Sequence, residues 1–207
     1  MTLNPVHDLQ CVYRKLLTAM SRPGHIENIQ AIGQKINFNI NLNGNLTALL
    51  MSLLDGEVSF CFISKANKAS ERQINLLTYA QVKSPQEADY VIIPADCSQA
   101  DLQQTFSELK IGTLANPHDS ATLILNVDKI EQGNQYLLRG PGIKTENSIN
   151  IHTNIDWCTL REFKTKEFPL GLDFILLDLT GNIICIPRTT LVVRQEDANG
   201  LCCCKGW

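Results

Sequence analysis

The sequence contains none of the short motifs by which nucleotide-dependent and zinc-dependent enzymes are usually recognised. It has no G-x-x-x-x-G-K-[ST] phosphate loop, no G-x-G-x-x-G fingerprint, no G-x-S-x-G elbow and no H-E-x-x-H helix. The four histidines, His7, His25, His118 and His152, stand singly. Because a lone histidine is usually a surface or hydrogen-bonded residue, none is favoured as a general base. The sequence therefore does not predict a self-contained nucleotide enzyme, and it predicts no metal site.

An excess of positive charge and a long apolar run are also missing. The chain has 18 Lys+Arg against 21 Asp+Glu, a net charge of -3, so no broad attraction to nucleic acid or to an anionic membrane is expected. A site for an anion must then be local. No run approaches the roughly 20 apolar residues of a membrane span, and residues 1–10 lack a basic segment followed by an apolar one. We therefore expect a cytoplasmic protein.

The eight cysteines do not form a disulfide framework of the kind found in small secreted domains. Five are widely spaced, and we expect them to be reduced and those in apolar runs to pack as small hydrophobic residues. The other three form the run Cys202-Cys203-Cys204. This run lacks the C-x2-C spacing that brings two thiolates onto one zinc ion, so a flexible, oxidation-prone tail over 194–207 is favoured.

Apolar periodicity predicts an α/β fold in a single domain over residues 1–193. Helical and strand patterns alternate through most of the chain, with no linker between them. Five helices are predicted: one that Asp8 begins and Ser21 ends, then 45–54, 70–80, 102–109 and 154–163. Four strands are predicted before the last hairpin: 58–63, 90–93, 121–127 and 136–138.

The densest pattern is a hairpin after Phe168. The run from Leu172 to Leu177 is apolar at nearly every position, which predicts a strand buried on both faces. Thr180-Gly181-Asn182 supplies the turn, and Pro187 ends the return strand because it has no N–H to donate. A two- or four-residue loop places Leu177 opposite Ile184, Ile175 opposite Ile186 and Asp173 opposite Arg188, which predicts an ion pair. A three-residue loop instead places Phe174 opposite Arg188.

Three segments contain candidate anion contacts. Arg188 and Thr189 follow a strand end, where a guanidinium and a hydroxyl can hold a phosphate or carboxylate, with Asp173 orienting the arginine. Arg139 precedes two glycines, Gly140 and Gly142, that allow backbone N–H groups to approach an anion. Arg14 lies near the end of the first helix. Spacing alone favours simpler explanations, namely a strand that ends in surface residues, a plain turn and a solvated arginine.

Taken together, four segments of this sequence resemble the PhnH family of bacterial carbon-phosphorus lyase subunits. The similarity extends over nearly the whole chain, although residues 26–120 are much less distinctive. The matching segments are VYRKLLTAMSRPG at Val12–Gly24, LLRGPGI at Leu137–Ile143, FPLGLDFIL at Phe168–Leu176 and IPRTT at Ile186–Thr190.

The resemblance implies more than the residue patterns do. It implies a layered αβα sandwich that resembles the large domain of pyridoxal-phosphate-dependent transferases but lacks their cofactor site, so no cofactor is expected. It implies a homodimer that joins the G, I and J subunits in a core complex. With G, I and the ATP-binding-cassette-like L subunit, the family is required to transfer ribose triphosphate from ATP to methylphosphonate, displacing adenine.

Three functional hypotheses follow. In the first, the chain is a non-catalytic or shared-site subunit of this transferase, and Arg14, Arg139 and Arg188 are candidate anion contacts. The second is a stand-alone pyridoxal-phosphate enzyme, which needs a lysine for the Schiff base; Lys144 and Lys164 lie near the motifs but in no recognisable cofactor context. The third is a thiol redox protein that uses Cys202 to Cys204.

Overall fold

The computed structural model describes residues 3–37, 42–63, 68–95, 97–165 and 167–195. The predicted cysteine run at 202–204 lies outside the described residues. None of the helices in the described residues is long and apolar enough to cross a membrane. The helices are α1 (Pro5–Ser21), α2 (Gln30–Gly33), α3 (Gly44–Leu53), α4 (Lys68–Thr78), α5 (Gln99–Glu108) and α6 (Trp157–Lys164), with a 3-10 turn at Pro117–Asp119.

The strands form one seven-stranded and one three-stranded sheet. The large sheet has the order β1-β9-β8-β5-β4-β2-β3. Its strands β3, β2, β4, β5 and β8 are mutually parallel, and β9 pairs antiparallel with both of its neighbours, β8 and β1. The small antiparallel sheet has the order β10-β6-β7. The strands are β1 (Glu27–Asn28), β2 (Ser59–Phe62), β3 (Gln81–Val82), β4 (Tyr90–Ile93), β5 (Thr122–Val127), β6 (Lys129–Arg139), β7 (Asn147–His152), β8 (Asp173–Asp178), β9 (Asn182–Ile186) and β10 (Leu191–Arg194).

The large sheet is covered on both faces, which confirms the α/β prediction. Alternate residues of β8 belong to two different core clusters: Phe174 and Leu176 to one, Ile175 and Leu177 to the other. The first cluster includes buried residues of α5, α6 and the small sheet, and the second includes buried residues of α1, α2, α3 and α4. Because successive side chains of a strand point to opposite faces, these clusters are the two layers that flank the sheet. The finer likeness to pyridoxal-phosphate transferases stays a prediction.

The register predicted for the hairpin is wrong. Leu177 lies opposite Ile183 rather than Ile184, and Ile186 lies opposite Phe174 rather than Ile175. The pairing of β8 with β9 ends there, so neither Asp173 nor Phe174 is paired with Arg188. The loop between β8 and β9 has three residues, with Thr180 at its centre. Turn propensity alone predicted the register, whereas a side chain at the end of β8 anchors this loop.

That anchor is the carboxylate of Asp178, which is 2% exposed. Its Oδ1 accepts from the backbone N–H groups of Thr180 and Asn182 at 2.9 Å each and from the Thr180 hydroxyl at 2.7 Å. Its Oδ2 accepts from the Asn182 amide at 2.9 Å and from the Ile130 N–H at 3.2 Å. One buried side chain therefore sets the register of the hairpin and ties it to the start of β6.

The N-cap of α1 lies four residues before Asp8, which was predicted to begin the helix. Asn4 is the N-cap, and its side chain accepts from the N–H groups of Val6 and His7. Asp8 instead accepts from the N–H of Asn4 at 2.8 Å and forms an ion pair with Lys35 at 2.8 Å. The side chains of Asn4 and Asp8 together satisfy three backbone N–H groups of the first turn, those of Asn4, Val6 and His7.

Candidate functional site

Three of the four family-like segments meet at the glycine loop that follows β6. A Cβ atom on Gly142 would lie 2.5 Å from the carbonyl oxygen of Ser21 and 2.9 Å from the Pro23 ring. A Cβ atom on Gly140 would lie 3.0 Å from the carbonyl oxygen of Thr189. Both glycines have positive φ, so a side chain at either position is disfavoured by conformation as well as by space. The loop therefore joins the end of α1 to the turn before β10.

The fourth segment, Phe168–Leu176, meets the Ile186–Thr190 segment at the end of β9. A Cβ atom on Gly171 would lie 3.3 Å from Cβ of Arg188 and 2.4 Å from Thr165. The N–H of Thr190 donates to the carbonyl of Pro187 at 2.9 Å, which closes a turn. We call the surface formed by the Gly140–Gly142 loop, the end of α1 and the Pro187–Thr190 turn the motif surface. It brings Gly140, Gly142, Arg188 and Thr189 together, although they are distant in the sequence.

The predicted ion pair between Asp173 and the Arg188 guanidinium is absent. Oδ1 of Asp173 accepts from the backbone N–H of Arg188 at 2.7 Å, while Nη1 of Arg188 donates to the hydroxyl of Ser120 at 2.6 Å and to the carbonyl of Pro117. The one-residue difference in register explains this result, because Asp173 now lies beside the backbone that leaves β9. Asp173 positions the turn, and Arg188 is held by the segment before β5.

The other two predicted arginines, Arg139 and Arg14, line neither of the two cavities that are described below. Nε and Nη2 of Arg139 lie 2.7 and 2.6 Å from Oε2 of Glu146, so a carboxylate already binds this guanidinium. Arg14 is exposed on α1 and lines neither of the two cavities described below. The geometry thus gives no contact between these arginines and Arg188.

Arg161 is the residue that sequence analysis missed. It is 3% exposed, and its Nη2 donates to the carbonyls of Pro187 and Thr190 at 2.8 Å each and to that of Arg188 at 3.3 Å. It lies four positions after Trp157, which is fully buried, so helical spacing places Arg161 on the same buried face. The signal in the sequence that could have revealed it is a charged residue on the buried face of a predicted helix.

Burial is the main electrostatic influence on Arg161. It lowers the pKa of the guanidinium to about 10, against smaller opposing effects of Cys158, Asp173 and Glu162. The group therefore keeps its charge at neutral pH. In the described part of the chain, no carboxylate oxygen forms a salt bridge with it. Among the described residues, its hydrogen bonds go to backbone carbonyls.

A cavity of 490 Å³ lies between α6 and β10, and we call it the α6–β10 cavity. Its lining combines polar and apolar residues. The polar ones include Arg161, Arg188, Thr165, Thr189 and Thr190, and the apolar ones include Phe168, Leu170, Leu191 and Val192. Glu162 also lines it and is exposed. The cavity is large enough for a small organic ligand.

A second cavity of 440 Å³, which we call the basic cavity, lies beside Gly142. It is lined by Arg22, His25 and Lys144 together with Asn147, whose amide donates to the carbonyl of Pro23 at 2.7 Å. Arg22 and Lys144 are exposed, and Nε2 of His25 lies 3.4 Å from Glu27. Because Arg22 is the C-cap of α1, its positive charge also complements the helix dipole.

Lys164, a candidate of the pyridoxal-phosphate hypothesis, has structural partners, and Cys202 to Cys204 of the redox hypothesis lie outside the described residues. Nζ of Lys164 donates to the carbonyls of Ser107 and Leu109, and burial lowers its pKa. Burial also raises the pKa of Cys61 and of Cys158 to about 12, so both thiols are protonated at neutral pH. Among the described residues, no group of three His, Cys, Asp or Glu side chains is arranged to hold a metal ion.

Comparison with known proteins identifies the family. The model of the bacterial phosphonate metabolism protein family PhnH matches residues 2–193. The chain belongs to the PhnH family. The resemblance inferred from the four segments is thereby confirmed, and the segments that build the motif surface all lie within the matched region.

Two curated relatives are similar over most of their length. A putative C-P lyase subunit protein, HtxG, of Stutzerimonas stutzeri is 28% identical over 183 residues, covering 87% of this chain and 84% of the relative. The PhnH subunit of alpha-D-ribose 1-methylphosphonate 5-triphosphate synthase of Rhizobium meliloti (strain 1021) is 27% identical over 200 residues, covering 93% and 94%. Both relatives are named as subunits.

Proposed function

We propose that this chain is a cytoplasmic subunit of a carbon-phosphorus lyase complex that is required to transfer ribose triphosphate from ATP to methylphosphonate, with adenine displaced. The observation that carries the proposal is the match of residues 2–193 to the PhnH family. The Rhizobium meliloti relative supports it, since that protein is named as a synthase subunit and the alignment covers 94% of it.

The proposed contribution of the chain is to a site shared with other subunits. The sequence offers no complete nucleotide motif, whereas Arg188, Thr189, Gly140 and Gly142 lie together on the motif surface. We propose these four as contacts to an anionic group, with Asp173 holding the backbone of Arg188. Arg139, bound to Glu146, and Arg14 on the open face of α1 act at longer range through their charge.

We further propose a homodimer that joins the G, I and J subunits, with L joining functionally. An exposed apolar stripe on α1 supports a covered surface. Val6, Tyr13 and Leu17 recur at helical spacing and are 73%, 44% and 51% exposed. Light scattering of the purified chain at micromolar concentration should give twice the protomer mass of 23.1 kDa. A monodisperse monomer that does not bind the other subunits contradicts the assembly proposal.

Growth of a deletion strain tests the functional proposal. Deleting the gene for this chain in its host should abolish growth on methylphosphonate as the sole phosphorus source, and a plasmid copy should restore it. Growth on inorganic phosphate is the control and should not change. A tagged copy should also co-purify with the neighbouring subunits. Undiminished growth of the deletion strain on methylphosphonate contradicts the proposal.

A further inference from the structure

The unsatisfied polar atoms of the protein are concentrated in one place. Within the described part of the chain, every buried side-chain nitrogen or oxygen without a hydrogen-bond partner lies on α6 or between Thr190 and Gln195. Two of them, Nε of Arg161 and Oγ1 of Thr190, belong to residues that line the α6–β10 cavity. Because leaving a buried polar group without a hydrogen bond is unfavourable, their shared position indicates a missing partner.

The chemistry of that partner follows from the two groups. Nε of Arg161 can only donate, and the Thr190 hydroxyl can donate at the same time, so both are satisfied by an acceptor. The guanidinium is 97% buried and has no carboxylate partner among the described residues, so a negatively charged acceptor also compensates its charge. Arg188 and Thr189 line the same cavity as Arg161 and Thr190.

The apolar residues of the lining limit what else the ligand contains. Phe168 and Leu191 line the cavity and are 77% and 58% exposed, so their apolar surface is open to a ligand. An apolar group on the ligand would cover part of them and remove that surface from water. Glu162, at the exposed rim, disfavours ligands whose charge extends far from the floor.

We propose that the α6–β10 cavity binds an organic oxyanion, a phosphonate or a phosphate monoester, whose oxygens contact Arg161, Arg188 and Thr190 and whose apolar group lies against Phe168 and Leu191. The two unpaired atoms are covered in the free structure, so binding includes a small side-chain rotation at the cavity floor. The preference for a phosphonate rests on the proposed function, whereas the oxyanion chemistry does not.

Calorimetric titration of the purified full-length chain with ethylphosphonate, inorganic phosphate and propionate tests this site. We expect ethylphosphonate to bind more tightly than phosphate, which lacks the apolar group, and than propionate, which has fewer acceptor oxygens. Thr190→Val, which keeps the shape and removes the hydroxyl, should weaken ethylphosphonate binding about tenfold. It should not lower the thermal midpoint, because the hydroxyl it removes is unpaired.

Two further variants complete the experiment. Arg161→Lys keeps the charge but loses the planar fork, and we expect it to weaken binding as well. Arg22→Gln, which removes a cation from the basic cavity instead, is the matched control and should bind ethylphosphonate like the wild type. If Arg161→Lys does not fold, Thr190→Val still decides the result. Wild-type protein that does not bind ethylphosphonate at millimolar concentration, equal affinity for phosphate, or wild-type affinity in Thr190→Val overturns the proposal.

The growth experiment separates this inference from the proposed function. If the chain binds ethylphosphonate through Thr190 but its deletion leaves growth on methylphosphonate intact, the proposed site is supported and the proposed function is contradicted. A chain that is required for growth but does not bind ethylphosphonate retains the function and loses the site.

Discussion

Asp173 binds the backbone of Arg188 and not its guanidinium. The carboxylate accepts from the Arg188 N–H at 2.7 Å, and the guanidinium donates instead to Ser120 and Pro117. The two side chains therefore serve separate ends of the same structure. Asp173 fixes where the chain leaves β9, and Arg188 connects that point to the segment before β5.

This geometry predicts additive effects of Asp173→Asn and Arg188→Gln on the free energy of unfolding. Asparagine keeps an acceptor for the Arg188 N–H, so its cost should be about 1 kcal/mol. Since neither substitution removes a partner of the other side chain, the double variant should equal the sum of the single variants within about 0.5 kcal/mol. Denaturant titration of the four proteins measures this, and a coupling above about 1 kcal/mol would show a direct ion pair.

The Asp178 carboxylate should be among the most sensitive polar groups of the fold. Asp178→Ala removes the acceptor of the Ile130, Thr180 and Asn182 N–H groups, and we expect it to lower the free energy of unfolding by about 3 kcal/mol. Asp128→Ala is the matched control, because Asp128 is exposed and should change stability by less than about 0.5 kcal/mol. Equal effects of the two substitutions in urea titrations would refute the anchoring role of Asp178.

Acid should remove the contribution of Asp89. Burial raises its pKa, but hydrogen bonds from Lys110 and Ser59 outweigh burial and hold the pKa below its ordinary value. A carboxyl group with a depressed pKa stabilises the folded state above its unfolded pKa of about 3.9, and that contribution is lost as pH falls through the folded pKa. The stability difference between wild type and Asp89→Asn should therefore be largest at neutral pH and shrink in acid.

Thermal unfolding of both proteins from neutral to acid pH checks this prediction. Glu57→Gln is the control, because Glu57 is exposed and its carboxylate has no hydrogen bond or ion pair among the described residues. Its difference from wild type should stay small across the series. A wild-type advantage over Asp89→Asn that grows as the pH falls would contradict the assigned sign.

Apolar periodicity predicted the elements whose burial is continuous. The strand at Tyr90–Ile93 and the helix that ends at Ser21 follow from their residues because hydrophobic burial decides them locally. β7 and β10 were missed: β7 alternates polar and apolar residues, and β10 is short and stabilised by pairing with β6. The hairpin register failed because a buried carboxylate, rather than turn propensity, sets it.

The candidate site was predicted in part for similar reasons. Glycine spacing indicated close backbone approach at Gly140 and Gly142, and the structure places both against other family-like segments. Arg161 lies outside those segments, and its role depends on carbonyls that are 26 to 29 residues away in the sequence. No local pattern records a contact between a helix and a later turn.

Adenine release in a reconstituted reaction tests the central claim most directly. The G, I and L subunits would be incubated with ATP and methylphosphonate, with and without this chain, and adenine would be measured chromatographically. We predict methylphosphonate-dependent adenine release only when this chain is present. Equal release without it would contradict the proposal that the chain is a required subunit of the transferase.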